Sequence, residues 1–264
     1  MYRDPAPLWG EGMSVKVGRV PYLGFEPFYF DMERRGIEMV NLVPSALVTA
    51  IKNGEVDGGP LSLLECFHMD DHFQYLSGFC MSTITQATSV NLYSTKPIEE
   101  LTSARIGIID EASTAIGLLK VLLTLKYNVS PESYVTLQEP YDAFLLIGDQ
   151  GLRNRRGARG FPYKYDLGEE WHNWTGLPFV FARWVARKNM DATDAAALQD
   201  SIYTAFQDWA DGLFRVSETR NYLLMRPQDI LEYTQGLRYF IGVPEQRAMD
   251  LFQGYLDKID FYKS

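Results

Sequence analysis

Up to Arg187 the chain alternates short strand-like runs with helical segments, and after about residue 190 it turns to continuous helix. That alternation constrains the fold more than any other feature, because strands interleaved with helices favour α/β architecture. Expected strands are Val15–Val20, Ile37–Leu42, Phe73–Ser77, Ser89–Ser94, Arg105–Ile109, Ala143–Gly148, Tyr163–Asp166 and Phe179–Arg187. Pro44–Asn53 and Thr114–Tyr127 read as helices. Further on, Leu198, Ile202, Ala205, Phe206, Trp209 and Leu213 recur at the spacing of one buried helical face. Pro227–Gly236 and Pro244–Ile259 read as later helices, with each proline in the first turn, where a missing N–H is harmless.

A chain of 264 residues holds one large domain or two lobes of ordinary size. Its 46% hydrophobic residues, with 14% aromatic, supply a core and argue against disorder. The net charge of −9 argues against nucleic acid or an anionic membrane as partner. An anionic ligand must therefore be held by local donors working against the overall field. No apolar run approaches the roughly 18 residues that span a bilayer. The opening MYRDPAPLWGEG lacks the basic start and apolar core of a signal peptide, so a cytoplasmic protein is expected. Residues 1–13 read as an N-terminal extension before the first strand. Monomer and homodimer both stay open.

Cys66 and Cys80 sit in apolar surroundings without metal or redox spacing and read as buried free thiols. His68 and His72 lie four apart among carboxylates, a weak metal pattern that a solvated loop or helix end explains as well. No metal site and no cofactor motif is expected. RNRRGARG (Arg153–Gly160) is the one basic cluster and reads as a mobile surface loop, a lid or a partner contact.

Two small-residue turns, Asp57-Gly58-Gly59-Pro60-Leu61-Ser62 and Asp110-Glu111-Ala112-Ser113-Thr114, lead into helices. Such turns aim backbone N–H groups and a helix dipole at a common spot, which suits a dicarboxylate. Plain helix capping by Ser62, Ser113 and Thr114 explains the same residues, so the pattern decides nothing alone. Asp149 follows an apolar strand at a Gly-Asp end, where ligands gather in α/β proteins. It reads either as a proton-handling carboxylate or as an acceptor that closes the turn. In Tyr163–Arg187 a strand, a polar turn with helical potential and a second strand follow one another, and Trp171 and Trp174 read as packing residues or a site wall.

The order of motifs resembles one family, the chorismate dehydratases of the futalosine route to menaquinone. VKVGRVPYLGFEP is similar to the family's first strand and turn, VDGGPLSLLE to a Pro-x-Ser turn that meets the ligand, and SVNLYSTKPIEEL to a crossing strand. EASTAIGLLKVLL resembles its Ser/Thr helix start, YDAFLLIGDQGL its Gly-Asp strand end, and LEYTQGLRYFIGVPEQRAMDLF its C-terminal close. The sister enzyme, 1,4-dihydroxy-6-naphthoate synthase, usually carries a histidine where this chain has Gly148-Asp149.

The resemblance implies a type II periplasmic-binding-protein-like fold of α/β class. In it, two lobes enclose a central cleft and two strands, near Ser89–Ser94 and Phe179–Arg187, act as hinges. Residues 14–94 with 188–264 would form one lobe and residues 95–187 the other. It also implies a cofactor-independent loss of water from chorismate, a small anionic substrate, with a non-catalytic binder of the same fold or an enzyme for another aromatic acid as alternatives. Ser89 matches a family site position, and Asp149 is the second candidate for the chemistry. Substrate contacts are expected from Arg19, Gly24, Pro60, Leu61, Ser62, Gln86, Ser113, Thr114 and Ala115.

Two departures bear on that expectation. The family usually has asparagine after Tyr-Leu, whereas here Gly24 follows Tyr22-Leu23, with Glu26 close behind. A carboxylate about 5 Å from a bound anion would cost roughly 3 kcal/mol at an effective dielectric near 20. The family's Gly-Pro-Val-like segment is replaced by Thr83-Ile84-Thr85-Gln86-Ala87-Thr88-Ser89, whose hydroxyls and amide could supply the lost donor or form one polar strand face.

Overall fold

The computed structural model describes residues 15–68, 70–109, 111, 113–212 and 221–263. The expected extension 1–13, Asp110 and Ala112 of the second turn, and Leu213 lie outside the described residues. The strands are β1 (Lys16–Arg19), β2 (Glu38–Asn41), β3 (Gly58–Ser62), β4 (Phe73–Thr83), β5 (Asn91–Ser94), β6 (Arg105–Ile108), β7 (Ser133–Thr136), β8 (Ala143–Leu146), β9 (Tyr163–Asp166), β10 (Phe179–Arg187) and β11 (Leu237–Phe240). The helices are α1 (Pro44–Lys52), α2 (Leu63–His68), α3 (Ser113–Val121), α4 (Gly148–Arg153), α5 (Leu167–Thr175), α6 (Ala192–Gly212), α7 (Pro227–Gln235) and α8 (Val243–Lys258).

These elements form two sheets, a six-stranded one in the order β11-β4-β10-β3-β1-β2 and a five-stranded one in the order β7-β6-β8-β5-β9. The mixed α/β class expected from the alternation is the class observed. The chain falls into two compact units: unit 1 takes the described residues of 1–79 and 182–218, and unit 2 those of 80–181 and 219–264. The strands β4 and β10 have residues in both. The sequence expectation groups all of 188–264 with the first lobe; here the described residues of 188–218 fall in unit 1 and those of 219–264 in unit 2.

In unit 1, β1 runs parallel to β2 and β3, with Val17 opposite Gly58, and β10 pairs antiparallel with β3. Helix α1 starts with Pro44 in its first turn and buries Leu47, Ala50 and Ile51. It approaches the sheet closely at Gly18, where an added Cβ would fall 2.1 Å from Leu47 Cδ1. Phe28 and Tyr29 pack against Trp184 with ring centroids 5.6 and 5.9 Å apart, contacts worth about 0.5–1.5 kcal/mol each beyond area burial. The sequence reads residues 57–62 as a turn, yet β3 is a buried strand there. Its Gly-Gly-Pro composition has low strand propensity, and pairing with β1 and β10 overrides it.

In unit 2, β6 is parallel to β7 and β8, while β5 is antiparallel to β8 and β9. Helix α3 passes into a π-helical turn over Leu122–Lys126. The polar turn expected after β9 is α5, capped at its start by the Asp166 side chain and ended by Gly176 in the left-handed region, φ 70°. Trp171 is fully buried, donates from Nε1 to Pro178 O at 2.9 Å, and meets Phe179 and Phe252 edge-on at 5.3 and 6.0 Å. Phe252 belongs to α8, so this aromatic cluster is the physical reason the C-terminal helix sorts with unit 2. Trp171 is therefore a packing residue.

The basic cluster after α4 differs from a mobile surface loop. Arg155 is largely buried and donates to Leu152 O, Leu223 O, Leu224 O and the Asp229 carboxylate. It ties that segment to the start of α7. Cys66 and Cys80 are buried free thiols, as expected.

Candidate functional site

Each unit presents residues of the expected site at strand ends, where backbone groups and helix starts converge. In unit 1, Arg19 closes β1 and the chain turns into a 3-10 helix, Leu23–Phe28, in which Gly24 is buried. Tyr29 braces this turn: its hydroxyl accepts from Val20 N–H at 3.1 Å and donates to Gly18 O at 3.2 Å. Burial pushes the Tyr29 phenol far above its ordinary value, so it stays neutral. The Arg19 guanidinium carbon lies 5.9 Å from the centre of the Tyr29 ring. Arg19 Nε is buried and has no hydrogen-bond partner. A buried donor left unpaired costs about 1–3 kcal/mol, and an anion is the natural acceptor for it.

β3 leaves the sheet at the same edge as β1, since the two are parallel, and carries Pro60 and Leu61, both buried, to Ser62. Ser62 Oγ accepts from Glu65 N–H at 3.4 Å, a long contact at the start of the short helix α2. The capping role weighed for Ser62 is thus present. Glu26 is half-buried.

Unit 2 holds the remainder. Between β4 and β5 the chain runs through residues 84–90, and one carboxylate organises it. Asp166, at the end of β9, accepts from Ala87 N–H at 2.9 Å, Thr88 N–H at 2.5 Å, Gly168 N–H at 2.9 Å and Glu169 N–H at 3.1 Å. Burial pushes the Asp166 carboxyl above the ordinary carboxylate range, and those four donors pull against the rise. Thr88 adopts φ 60°, a left-handed conformation costly for a β-branched residue. Asn91 Nδ2 donates to Thr88 O at 2.7 Å.

Held this way, Ser89 is nearly buried. Its N–H donates to Ala87 O at 2.6 Å, its hydroxyl donates to the same oxygen at 3.2 Å, and Tyr233 Oη donates to Ser89 Oγ at 3.3 Å. Helix α4 presses on this point: a Cβ on Gly151 would stand 2.0 Å from Ser89 O. Asp149, in the first turn of α4, is half-buried, and its charge reaches Tyr233. Ser89, Asp149, Asp166 and Tyr233 thus share one neighbourhood within unit 2.

Other expected residues sit differently. Gln86 is exposed, and its amide donates to Glu169 Oε1 at 3.0 Å. Ser113, Thr114 and Ala115 open α3, with Thr114 and Ala115 buried. The residues the sequence reading missed are Tyr233, which hides in a helical pattern as an ordinary core aromatic, and Asp166, which appears there only as the last residue of an expected strand. Two buried polar atoms of this region, Thr83 Oγ1 and Asn91 Oδ1, have no partner.

Unit 1 also has a cavity of about 650 Å³ lined by Lys52, Asp57, His72, Arg187 and Lys188. It lies where β3 begins and β10 ends, the opposite edge from Arg19 and Ser62. There Arg187 Nε already pairs with Asp57 at 2.7 Å. Among the described residues no three His, Cys, Asp or Glu side chains group to hold a metal, and no helix is long and apolar enough to cross a membrane.

Residues 15–258 match the family described as menaquinone biosynthesis. The chain belongs to that family. A chorismate dehydratase of Thermus thermophilus is 25% identical over 256 residues, covering 89% of this chain and 93% of that protein. Among solved structures, protein AF1704 of Archaeoglobus fulgidus superposes with a TM-score of 0.70 at 16% identity, over 96% of this chain and 100% of that one. The Candida albicans CA3427 gene product, described as having the generic periplasmic binding protein fold, gives a TM-score of 0.58 at 12% identity over 93% and 95% of the two chains. The fold expected from the motifs is that of these neighbours, and the family expected from them is the one matched.

Proposed function

We propose that this protein is a chorismate dehydratase that converts chorismate to 3-[(1-carboxyvinyl)oxy]benzoate. The observation that carries the reading is the match to a chorismate dehydratase along nearly the whole chain, which covers the residues of both units. The unpaired Arg19 Nε and the ordered Ser89 hydroxyl supply chemistry that suits it.

The reaction removes a proton from one ring carbon and hydroxide from its neighbour. The C–H electron pair becomes the new ring double bond, the two fragments leave as water, and aromatisation drives the step. It is redox-neutral, and its stoichiometry calls for no cofactor, so the reading is of a cofactor-independent hydro-lyase working in the cytoplasm. The protein's tasks are to fix the conformer and to handle charge at the departing oxygen.

In this reading Arg19 pairs with a substrate carboxylate, and the turns at Gly24, Pro60-Leu61-Ser62 and Ser113-Thr114-Ala115 supply N–H and hydroxyl donors. Ser89 hydrogen-bonds the departing hydroxyl. The ring proton goes to Asp149 or to the substrate's own carboxylate, which passes it to the departing hydroxide so that water leaves and the carboxylate is restored. Gln86 contributes only if it exchanges Glu169 for the ligand.

The alternatives are a binder that leaves its ligand unchanged and an enzyme for another aromatic acid. Gly24 and Glu26 are the residues that favour them. Mixing purified protein with chorismate decides: the expected result is new ultraviolet absorbance from an aromatic product. No turnover above the buffer control, combined with a chorismate-dependent rise in Tm, would assign a binder instead.

A further inference from the structure

Tyr233 belongs to the buried face of α7, with Ile230 and Thr234, and its ring is almost wholly covered. Phenylalanine would fill that space without bringing a polar group into it, so the hydroxyl needs a reason to be there. Its partner is Ser89 Oγ, 144 residues away in sequence and 3.3 Å away in space.

A serine hydroxyl has one proton to give and two lone pairs to offer. At Ser89 the proton points to Ala87 O at 3.2 Å, and Tyr233 occupies one lone pair. Ala87 O also receives Ser89 N–H at 2.6 Å. Releasing the hydroxyl would therefore leave that carbonyl satisfied. The Ser89 proton can turn to a ligand oxygen at little cost, while Tyr233 keeps its hold on Oγ.

We infer that Tyr233 is a positioning residue that fixes Ser89 as a hydrogen-bond donor to the departing hydroxyl of the substrate. This rests on the dehydratase reading above. The pair works only with the phenol neutral and donating. Burial, reinforced by the charges of Asp149 and Asp166, raises the Tyr233 phenol far above its ordinary value and keeps it so. A donor that itself accepts a hydrogen bond is polarised and strengthened as negative charge grows on the departing oxygen. Loss of the phenol should then be felt in the transition state more than in the bound substrate.

Steady-state kinetics on chorismate with Tyr233→Phe, Ser89→Ala and the double variant test this, with Tm recorded for each. The expected result for Tyr233→Phe is kcat lower by about tenfold with KM within about twofold. For Ser89→Ala it is a fall of about a hundredfold. Adding Tyr233→Phe to Ser89→Ala should cost nothing further, because the phenol acts through that hydroxyl alone. Unchanged kcat in Tyr233→Phe, or losses that multiply in the double variant, would overturn the inference while leaving the function intact. Wild-type protein without turnover would overturn the function and the inference together. If Tyr233→Phe does not fold, a fluorinated tyrosine at 233 keeps the shape and strengthens the donor. It should raise kcat about twofold, and no change would count against the inference.

Discussion

The two units present their candidate residues by different means. Unit 1 works mainly through backbone: glycines let α1 close on the sheet, Gly-Gly-Pro forms a buried strand, and Arg19 brings a cation to the edge. Unit 2 works through side chains that fold back on main chain, with Asp166, Asn91, Ser89 and Tyr233 each bonded to a loop that has little regular structure of its own. Each half is therefore vulnerable at a different place. A sheet edge tolerates change in its polar side chains and resists added volume, whereas a loop held by one carboxylate depends on that carboxylate.

The largest expected effect follows from that dependence. Asp166→Ala removes a helix cap and leaves the Ala87 and Thr88 N–H groups unpaired, which together should destabilise the protein by roughly 3 kcal/mol. Denaturant unfolding checks it, and a loss under about 1 kcal/mol would mean that the loop holds itself.

Added volume gives the next contrast. Gly151→Ala drives a Cβ to 2.0 Å from Ser89 O, which is backbone and cannot turn aside, so a loss near the top of the range of about 1–3 kcal/mol for overpacking is expected. Gly59→Ala in unit 1 meets Gly18 O at 3.0 Å and Leu47 methyls at 3.1 Å. It should cost nearer 1 kcal/mol, since a shift of a few tenths of an ångström relieves it. Thermal unfolding of the two variants side by side checks it: Gly151→Ala should melt lower than Gly59→Ala, and equal Tm values would mean that the loop yields as readily as the sheet.

Arg19→Met should raise KM for chorismate about tenfold with kcat nearly held, because an anion contact made before and during reaction is uniform binding. A fall in kcat alone would place Arg19 in the chemistry.

The smallest effect concerns pH. The Arg226 N–H first, then the guanidinium groups of Arg226 and Arg155, hold the Asp229 carboxyl below its ordinary value of 3.8. A lowered carboxylate contributes stability that is present above the ordinary value and lost as pH falls through the lowered one. The Tm difference between wild type and Asp229→Asn should therefore shrink on acidification below pH about 4 and be constant above pH about 6.

Much of this molecule was legible in its sequence. Pro227 and Pro244 mark the first turns of α7 and α8, and the apolar period places α6, because these signals are local. Ser89 entered as a candidate through motif order alone. β3 was not, since glycine and proline read as a turn wherever pairing partners lie far along the chain. Arg155 looked like loop charge because its acceptors, Leu223, Leu224 and Asp229, come about 70 residues later. Tyr233 carried no signal: a tyrosine on an apolar helical face looks the same whether its hydroxyl meets water or Ser89. Asp166 sits beside Glu169 and Glu170 in a polar run, and only the fold shows it buried with four donors.

Whether this chain removes water from chorismate can be read from proton NMR of chorismate incubated with the purified protein. The ring signals should become aromatic while the enolpyruvyl vinyl protons remain, with a product lighter by one water. Unchanged chorismate, or release of pyruvate with loss of the vinyl protons, would contradict it.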